Sequence, residues 1–242
     1  MMWPGQRLYS GLMILQIMAE RPTVVSLFAG AGGLDLGFKQ AGFDIVFASD
    51  YAQHLKETYD RNHGAELVLG DIRELDYDDI PDSDGIVGGP PCQSWSLAGA
   101  LRGAEDERGG LFYEYIEVIK AKKPKFFVAE NVPGLISKAN IDEFERIIDK
   151  FDDIGYDVYY EKLNAAYYNV PQERFRVIIV GFRQDLDVDF SFPDGTDEKM
   201  VQEDCEALLN LPEPKDSPGE PHSPEELEVP NHEYFTGGYS SR

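Results

Sequence analysis

The sequence predicts an α/β protein built on a doubly wound, mostly parallel sheet that ends in an antiparallel strand pair. Three observations predict it. Short apolar runs alternate with stretches of helical periodicity from Thr23 to about Phe192, the order of successive βα units. A glycine-rich turn, Gly30-Ala-Gly32-Gly33, separates the first strand from the first helix, where parallel sheets place a ligand crevice. The last two strand-like runs, Tyr156–Leu163 and Val177–Phe182, lie close enough in sequence to pair antiparallel.

In chain order, Thr23–Phe28 reads as an apolar strand and Leu34–Ala41 as a helix. Asp44–Ser49 is a second strand, Ala52–Asn62 a helix and Glu66–Leu69 a short third strand. A fourth strand surrounds Gly85–Val87, followed by a helix over Leu111–Ala121 and a buried strand, Phe126–Ala129. Ile141–Phe151 has apolar residues three and four apart, the spacing of an amphipathic helix. No internal repeat is present. Beyond Phe192 the composition changes: six of the 15 prolines fall between Leu211 and Asn231, among many Glu and Ser. Such a stretch cannot bury a core and reads as a linker. The expected organisation is an N-terminal extension (1–22), an α/β domain (23–192) and a Pro/Glu-rich linker (193–242).

Composition narrows the class. With 42% apolar residues the chain can build a real core. Its two cysteines, Cys92 and Cys205, exclude a disulfide framework, and no Cys/His cluster has zinc spacing, so no metal site is expected. No run approaches the ~20 apolar residues of a membrane span. Arg7 and the apolar run Leu8–Met18 imitate a short signal peptide but lead straight into the first strand, without a small-residue cleavage site. The expectation is a cytoplasmic protein whose translation starts at Met13 or Met18. The net charge of −23 is unusual. A protein neutralising phosphates should be basic. Either a partner supplies that charge, or the surface suits a salt-rich cell, or acidity merely aids solubility.

The motifs point to one edge of the sheet. Ser26-Leu-Phe28-Ala29-Gly30-Ala-Gly32-Gly33 lets backbone approach a nucleotide-like ligand. Asp35 occupies the place where a dinucleotide fingerprint would carry its third glycine, so a ligand without pyrophosphate is favoured. Asp50 closes the second strand, where a carboxylate suits ribose hydroxyls. Tyr51 can stack on a base, and Asp71 can accept from an adenine amino group. The plain alternatives are a tight turn and two helix caps. Next, Gly88-Gly-Pro-Pro91-Cys92 ends the fourth strand, and glycine and polar residues continue to Gly110 as a loop suited to closing over a substrate. Glu130-Asn131 directly follows Phe126–Ala129. Parallel neighbours would deliver Cys92 and Glu130 to one crevice, although a lone cysteine is usually a small buried hydrophobe and a glutamate there often a cap.

Taken together, these residues make the chain resemble the cytosine carbon-5 DNA methyltransferases, of the bacterial and archaeal restriction–modification type. The signatures are Phe28-x-Gly30-x-Gly32, Gly70-Asp71-Ile72, Pro90-Pro91-Cys92-Gln93, Glu130-Asn131-Val132 and Gln172-x-Arg174-x-Arg176, in the family's order. The resemblance implies a Rossmann-like fold that uses S-adenosylmethionine. It implies that Cys92 adds to carbon 6 of a cytosine flipped out of double-stranded DNA, since ring carbons are inaccessible in the stack. Glu130 would hold or protonate N3, and Asn131 would position loop and base. Arg176 and Arg174 would face the base carbonyl or the loop, a surface ion pair being the alternative for Arg174. Phe28, Ala29, Gly30, Gly32, Gly33, Asp50, Tyr51, Asp71, Ile72, Pro91 and Leu111 would form the cofactor pocket.

The pattern also departs from the family. No stretch matches the target-recognition domain or the final cofactor motif, and Asn231–Arg242 resembles the link towards that domain. The expectation is a catalytic subunit or a truncated enzyme that needs a complementary chain. A transfer-RNA methyltransferase and an inactive cofactor-binding remnant are the competing readings.

Overall fold

The computed structural model describes residues 21–64, 66–91, 110–200, 221–222 and 234–235. Among them the elements are β1 (Thr23–Leu27), α1 (Gly33–Gln40), β2 (Asp44–Asp50), α2 (Lys56–His63), β3 (Val68–Leu69), β4 (Gly85–Gly88), α3 (Gly110–Lys122), β5 (Phe126–Asn131), α4 (Ile141–Asp153), β6 (Tyr156–Asn164) and β7 (Phe175–Arg183). Two-residue strands β8 (Pro221–His222) and β9 (Tyr234–Phe235) pair with each other, antiparallel. The main sheet has the order β3-β2-β1-β4-β5-β7-β6. From β3 across to β5 the pairing is parallel. β7 inserts between β5 and β6, and the antiparallel pairing lies at that end.

The described residues up to Tyr160, together with Ile178–Phe190, make one compact unit; Glu161–Val177 and the described residues from Ser191 onward make a second. In the first unit the core is the sheet's own interior plus two helix faces. Val24, Val25, Leu27, Ile86, Val87, Phe127 and Ala129 are buried on the strands. Phe112, Tyr115, Ile116 and Ile119 of α3 and Phe144, Ile147 and Phe151 of α4 are buried over them, at the three- and four-residue spacing of a helix face. Phe127 stacks on Phe151 with ring centroids 4.1 Å apart. The Tyr115 hydroxyl lies 3.0 Å from both the Ile86 and Val128 carbonyl oxygens and donates between them, which satisfies a buried polar group. Among the described residues, no helix is long and apolar enough to cross a membrane.

Two elements differ from the sequence expectation for local reasons. The helix expected over Ala52–Asn62 begins as a 3₁₀ turn, Gln53–Leu55, before α2. Ala52 is extended (φ −84°, ψ 93°) because its N–H donates to Asp50 Oδ1 at 2.8 Å. The strand expected over Glu66–Leu69 is only Val68–Leu69. Leu67 is held by α2 instead, its N–H on Asp60 Oδ1 at 2.8 Å and its carbonyl on Lys56 Nζ at 2.8 Å.

This topology places the site. β1 runs beside β2 on one side and β4 on the other, with Leu27 level with Ser49 and with Gly88. The strand order reverses at β1, and the carboxyl ends of β1, β2, β4 and β5 open at one edge, where a doubly wound sheet binds its ligand.

Candidate active site at the carboxyl edge of the sheet

The glycine turn leaves β1 through three residues of positive φ: Phe28 (54°), Gly30 (60°) and Gly32 (83°). For Phe28 this conformation costs about 1–2 kcal/mol, a strain of the kind that collects at ligand sites. Beneath the turn lies a buried polar cluster. Asp35 of α1 is fully buried, and its carboxylate accepts hydrogen bonds from the Ser26 and Tyr59 hydroxyls, each at 2.6 Å. The Tyr59 ring stacks on His63, 4.3 Å between centroids. A Cβ on Gly32 would lie 2.0 Å from His63 Nε2. Gly32 therefore answers two demands, a left-handed backbone and an imidazole against its α-carbon. Burial holds His63 below the ordinary imidazole range, helped by the charge of Lys39 and opposed by Asp35 and a backbone bond at Ala31. Its ring is neutral at pH 7.

Above the turn is a cavity of about 270 Å³ lined by Phe28, Ser49, Asp50, Tyr51, Gly70, Asp71, Ile72, Arg73, Pro91 and Leu111. That is just below the roughly 300–1,000 Å³ typical of small-ligand sites. Asp50 Oδ2 accepts the Gly30 N–H and Oδ1 the Ala52 N–H, both at 2.8 Å. A carboxylate has about four lone-pair sites, so the group that clamps the turn keeps acceptors for a ligand. Asp71 caps the next 3₁₀ turn through the Arg73 N–H. The Arg73 guanidinium beside it holds the carboxyl down at about 2. Tyr51 is 73% exposed at the rim. Two carboxylates among apolar walls suit a ligand with hydroxyl and amino donors and a flat apolar body.

β4 and β5 supply a second cluster. Gly88 pairs with Ala129, so the next residues, Gly89 and Glu130, are neighbours; the Glu130 carboxylate lies 3.6 Å from where a side chain on Gly89 would begin. Asn131 is buried. Its Nδ2 donates to the Pro90 carbonyl at 3.1 Å, and its Oδ1 accepts the Val132 N–H at 2.9 Å. The end of β5 is thus tied to the Pro90-Pro91 segment that precedes Cys92. Cys92, and the loop to Gly110 expected to close over a substrate, lie outside the described residues.

Arg174 and Arg176 belong to the second unit. The Arg174 N–H donates to Asn164 Oδ1 at 3.1 Å, and its carbonyl accepts the Ala165 N–H at 3.0 Å. The Arg176 guanidinium donates to the Phe175 carbonyl at 2.7 Å. Asn164 also accepts from the Ala166 N–H at 3.2 Å, so one buried carboxamide pins both ends of the connection between β6 and β7.

The cavity gathers Phe28, Asp50, Tyr51, Asp71, Ile72, Pro91 and Leu111 of the residues named from sequence. Ala29, Gly30, Gly32 and Gly33 shape the turn without lining it. Sequence reasoning missed Ser49, Gly70 and Arg73 in the wall, the Asp35–Tyr59–His63 support, and Asn164. Arg73 had a signal in its place beside Asp71; for His63, far along the chain, nothing local pointed to Gly32.

The strand order and the crevice at the carboxyl edge define a Rossmann-like methyltransferase fold of the S-adenosylmethionine-dependent class. Within that class the chain belongs to the C-5 cytosine-specific DNA methylases, whose family pattern it matches over residues 22–238. It is 51% identical over 220 residues to the type II methyltransferase M.MthTI of Methanothermobacter thermautotrophicus, covering 90% of this chain and 66% of that protein. To the type II methyltransferase M.FnuDI of Fusobacterium nucleatum it is 49% identical over 224 residues, 90% of this chain and 64% of the other. A solved structure of a candidate prophage-encoded DNA modification methyltransferase from E. coli superposes with a TM-score of 0.69 at 29% identity, over 84% of this chain and 58% of that one. The S. pombe Dnmt2 methyltransferase shares the fold, with a TM-score of 0.59 at 23% identity over 81% of this chain and 61% of that one. The chain spans just under two thirds of the length of these curated relatives.

Proposed function

We propose that the protein transfers a methyl group from S-adenosylmethionine to carbon 5 of a cytosine flipped out of double-stranded DNA, through a covalent adduct at Cys92, with residues 23–192 as the catalytic domain. The observation that carries this reading is the pairing of two strand-end clusters at one sheet edge. Asp50 and Asp71 lie in a cavity above a glycine turn, and Glu130 lies beside the segment leading into Cys92.

The cavity's donor and acceptor chemistry fits the cofactor. Asp50 would hold the ribose hydroxyls, Asp71 the adenine amino group, and Phe28, Ile72 and Leu111 the ring faces. When bound, the cofactor supplies an electrophilic methyl on a sulfonium. The chain's own residues then do the rest. The Cys92 thiolate forms a bond to carbon 6 of the cytosine while Glu130 supports N3 against the electron density pushed onto it. Carbon 5 becomes nucleophilic and takes the methyl, and S-adenosylhomocysteine is left as the neutral thioether. Loss of the carbon 5 proton to solvent water expels the thiolate and restores the ring. Asn131, by tying Pro90 to Val132, keeps the thiol-bearing segment and Glu130 in one frame. Arg174 and Arg176 offer planar donors suited to a carbonyl oxygen.

A further element of the reading is a complementary chain that carries the target-reading region and the last cofactor motif. The net charge of −23 agrees, because a DNA-binding assembly needs cations that these residues do not supply. The test is transfer of labelled methyl to cytosine-containing duplex DNA, by the chain alone and with a complementary segment taken from M.MthTI. Activity is expected only with the complement. Cys92→Ala should lower it by about 10³-fold or more. Full activity of that variant would overturn the mechanism.

A further inference from the structure

Arg73 immediately follows the Gly70-Asp71-Ile72 signature and stands in the wall of the cavity. Its guanidinium grips the Asp71 carboxylate as a fork: Nε lies 2.9 Å from Oδ1 and Nη2 lies 2.5 Å from Oδ2. Its backbone N–H adds a third bond, to Oδ1 at 3.0 Å. Oδ1 is thereby doubly occupied and Oδ2 singly occupied. Of the roughly four acceptor sites on a carboxylate, the one left is on Oδ2, and the fork fixes the plane in which it points. The pair is electrically balanced, so it offers the cavity it lines a directed acceptor without an excess negative charge. Such an acceptor suits a neutral N–H donor and repels a carbonyl oxygen in the same place.

We propose that Arg73 is a positioning residue for the cofactor's purine: by orienting Asp71 it directs one acceptor at the exocyclic 6-amino group and sets selectivity against 6-oxo purines. The assignment rests on the reading of the cavity as the S-adenosylmethionine site. Lysine is not an equivalent, because an ammonium cannot reproduce the fork that holds the carboxylate plane. The low pKa of Asp71 agrees with the geometry, since the group stays an acceptor throughout the working pH range.

The experiment measures binding, not turnover, by calorimetry with the same polypeptides as in the transfer assay. The ligands are S-adenosylhomocysteine and its 6-oxo counterpart, S-inosylhomocysteine. Wild type should prefer the amino ligand. Arg73→Ala should weaken the amino ligand by about tenfold and leave the oxo ligand within about twofold, so that the preference collapses. Arg73→Lys should recover only part of it. Thermal midpoints of the ligand-free variants should stay close to wild type, because the pair is solvent-accessible. Equal weakening of both ligands, or an unchanged preference in Arg73→Ala, would overturn the role of Arg73 alone. A wild type that binds neither ligand would overturn the cavity reading, and the assignment with it.

Discussion

Gly30 and Gly32 share a positive φ but not a neighbourhood, and the contrast gives a sharp expectation. An alanine at either position must adopt a left-handed backbone, at about 1 kcal/mol relative to glycine. At Gly30 nothing lies within 4 Å of the new Cβ, so the backbone contribution is the whole effect. At Gly32 the Cβ would stand 2.0 Å from His63 Nε2 and 2.6 Å from Cδ2. The ring cannot step aside freely, because it is stacked on Tyr59 and Tyr59 is bonded to buried Asp35. Overpacking of this kind adds about 1–3 kcal/mol. Gly32→Ala should therefore lose about 3 kcal/mol in total, a fall of roughly 6–12 °C in Tm for a domain of this size, against about 1 kcal/mol for Gly30→Ala. Urea unfolding of both variants, each also in a His63→Ala background, separates the two contributions. With the ring gone, Gly32→Ala should cost only the backbone part. The same cost in both backgrounds, or a larger loss at Gly30, would refute the steric argument.

Two further expectations concern conditions. His63 is a base whose folded pKa lies below its free value of 6.5, so the unfolded chain takes up the proton first. Its contribution to stability is present above pH 6.5 and lost as pH falls through the folded value. His63→Phe, which keeps a ring on Tyr59, should flatten the decline in unfolding free energy between pH 7.5 and 5; an undiminished slope would point to other groups. The net charge of −23 should make folding salt-dependent. Self-repulsion is screened as the Debye length falls from about 10 Å at 0.1 M to about 3 Å at 1 M, so the thermal midpoint should rise by several degrees with KCl, and a flat response would count against repulsion as a stability factor.

The parallel sheet was legible because its strands are short apolar runs and its helices carry apolar spacings of three and four, as at Phe144, Ile147 and Phe151. The two acids at successive strand ends were legible for the same reason: topology makes a strand's last residue a crevice residue. What could not be read was how each acid divides its oxygens. Asp50 and Asp71 were given two alternatives, ligand holder or cap; Asp71 does cap a 3₁₀ turn, whereas Asp50 clamps the N–H groups of Gly30 and Ala52, and both line the cavity. The element ends slipped where a side chain took a backbone N–H, as Asp60 does at Leu67. The support under the glycine turn was invisible because it joins Ser26, Asp35, Tyr59 and His63, residues near one another only after β1, α1 and α2 have packed.

Asp50 has a consequence for any attempt to retune the cavity. Its two oxygens hold the Gly30 and Ala52 N–H groups, so the turn of β1 and the exit of β2 are fastened to a carboxylate that lines the cavity. A substitution there changes the shape of the vessel along with its contents, and the two effects cannot be varied apart. The exit of the neighbouring strand is different. Asp71 and Arg73 sit on a single 3₁₀ turn and are joined to each other by a fork, so they are the natural pair to exchange together. One carboxylate of the cavity is part of the scaffold, and the other is a replaceable fitting.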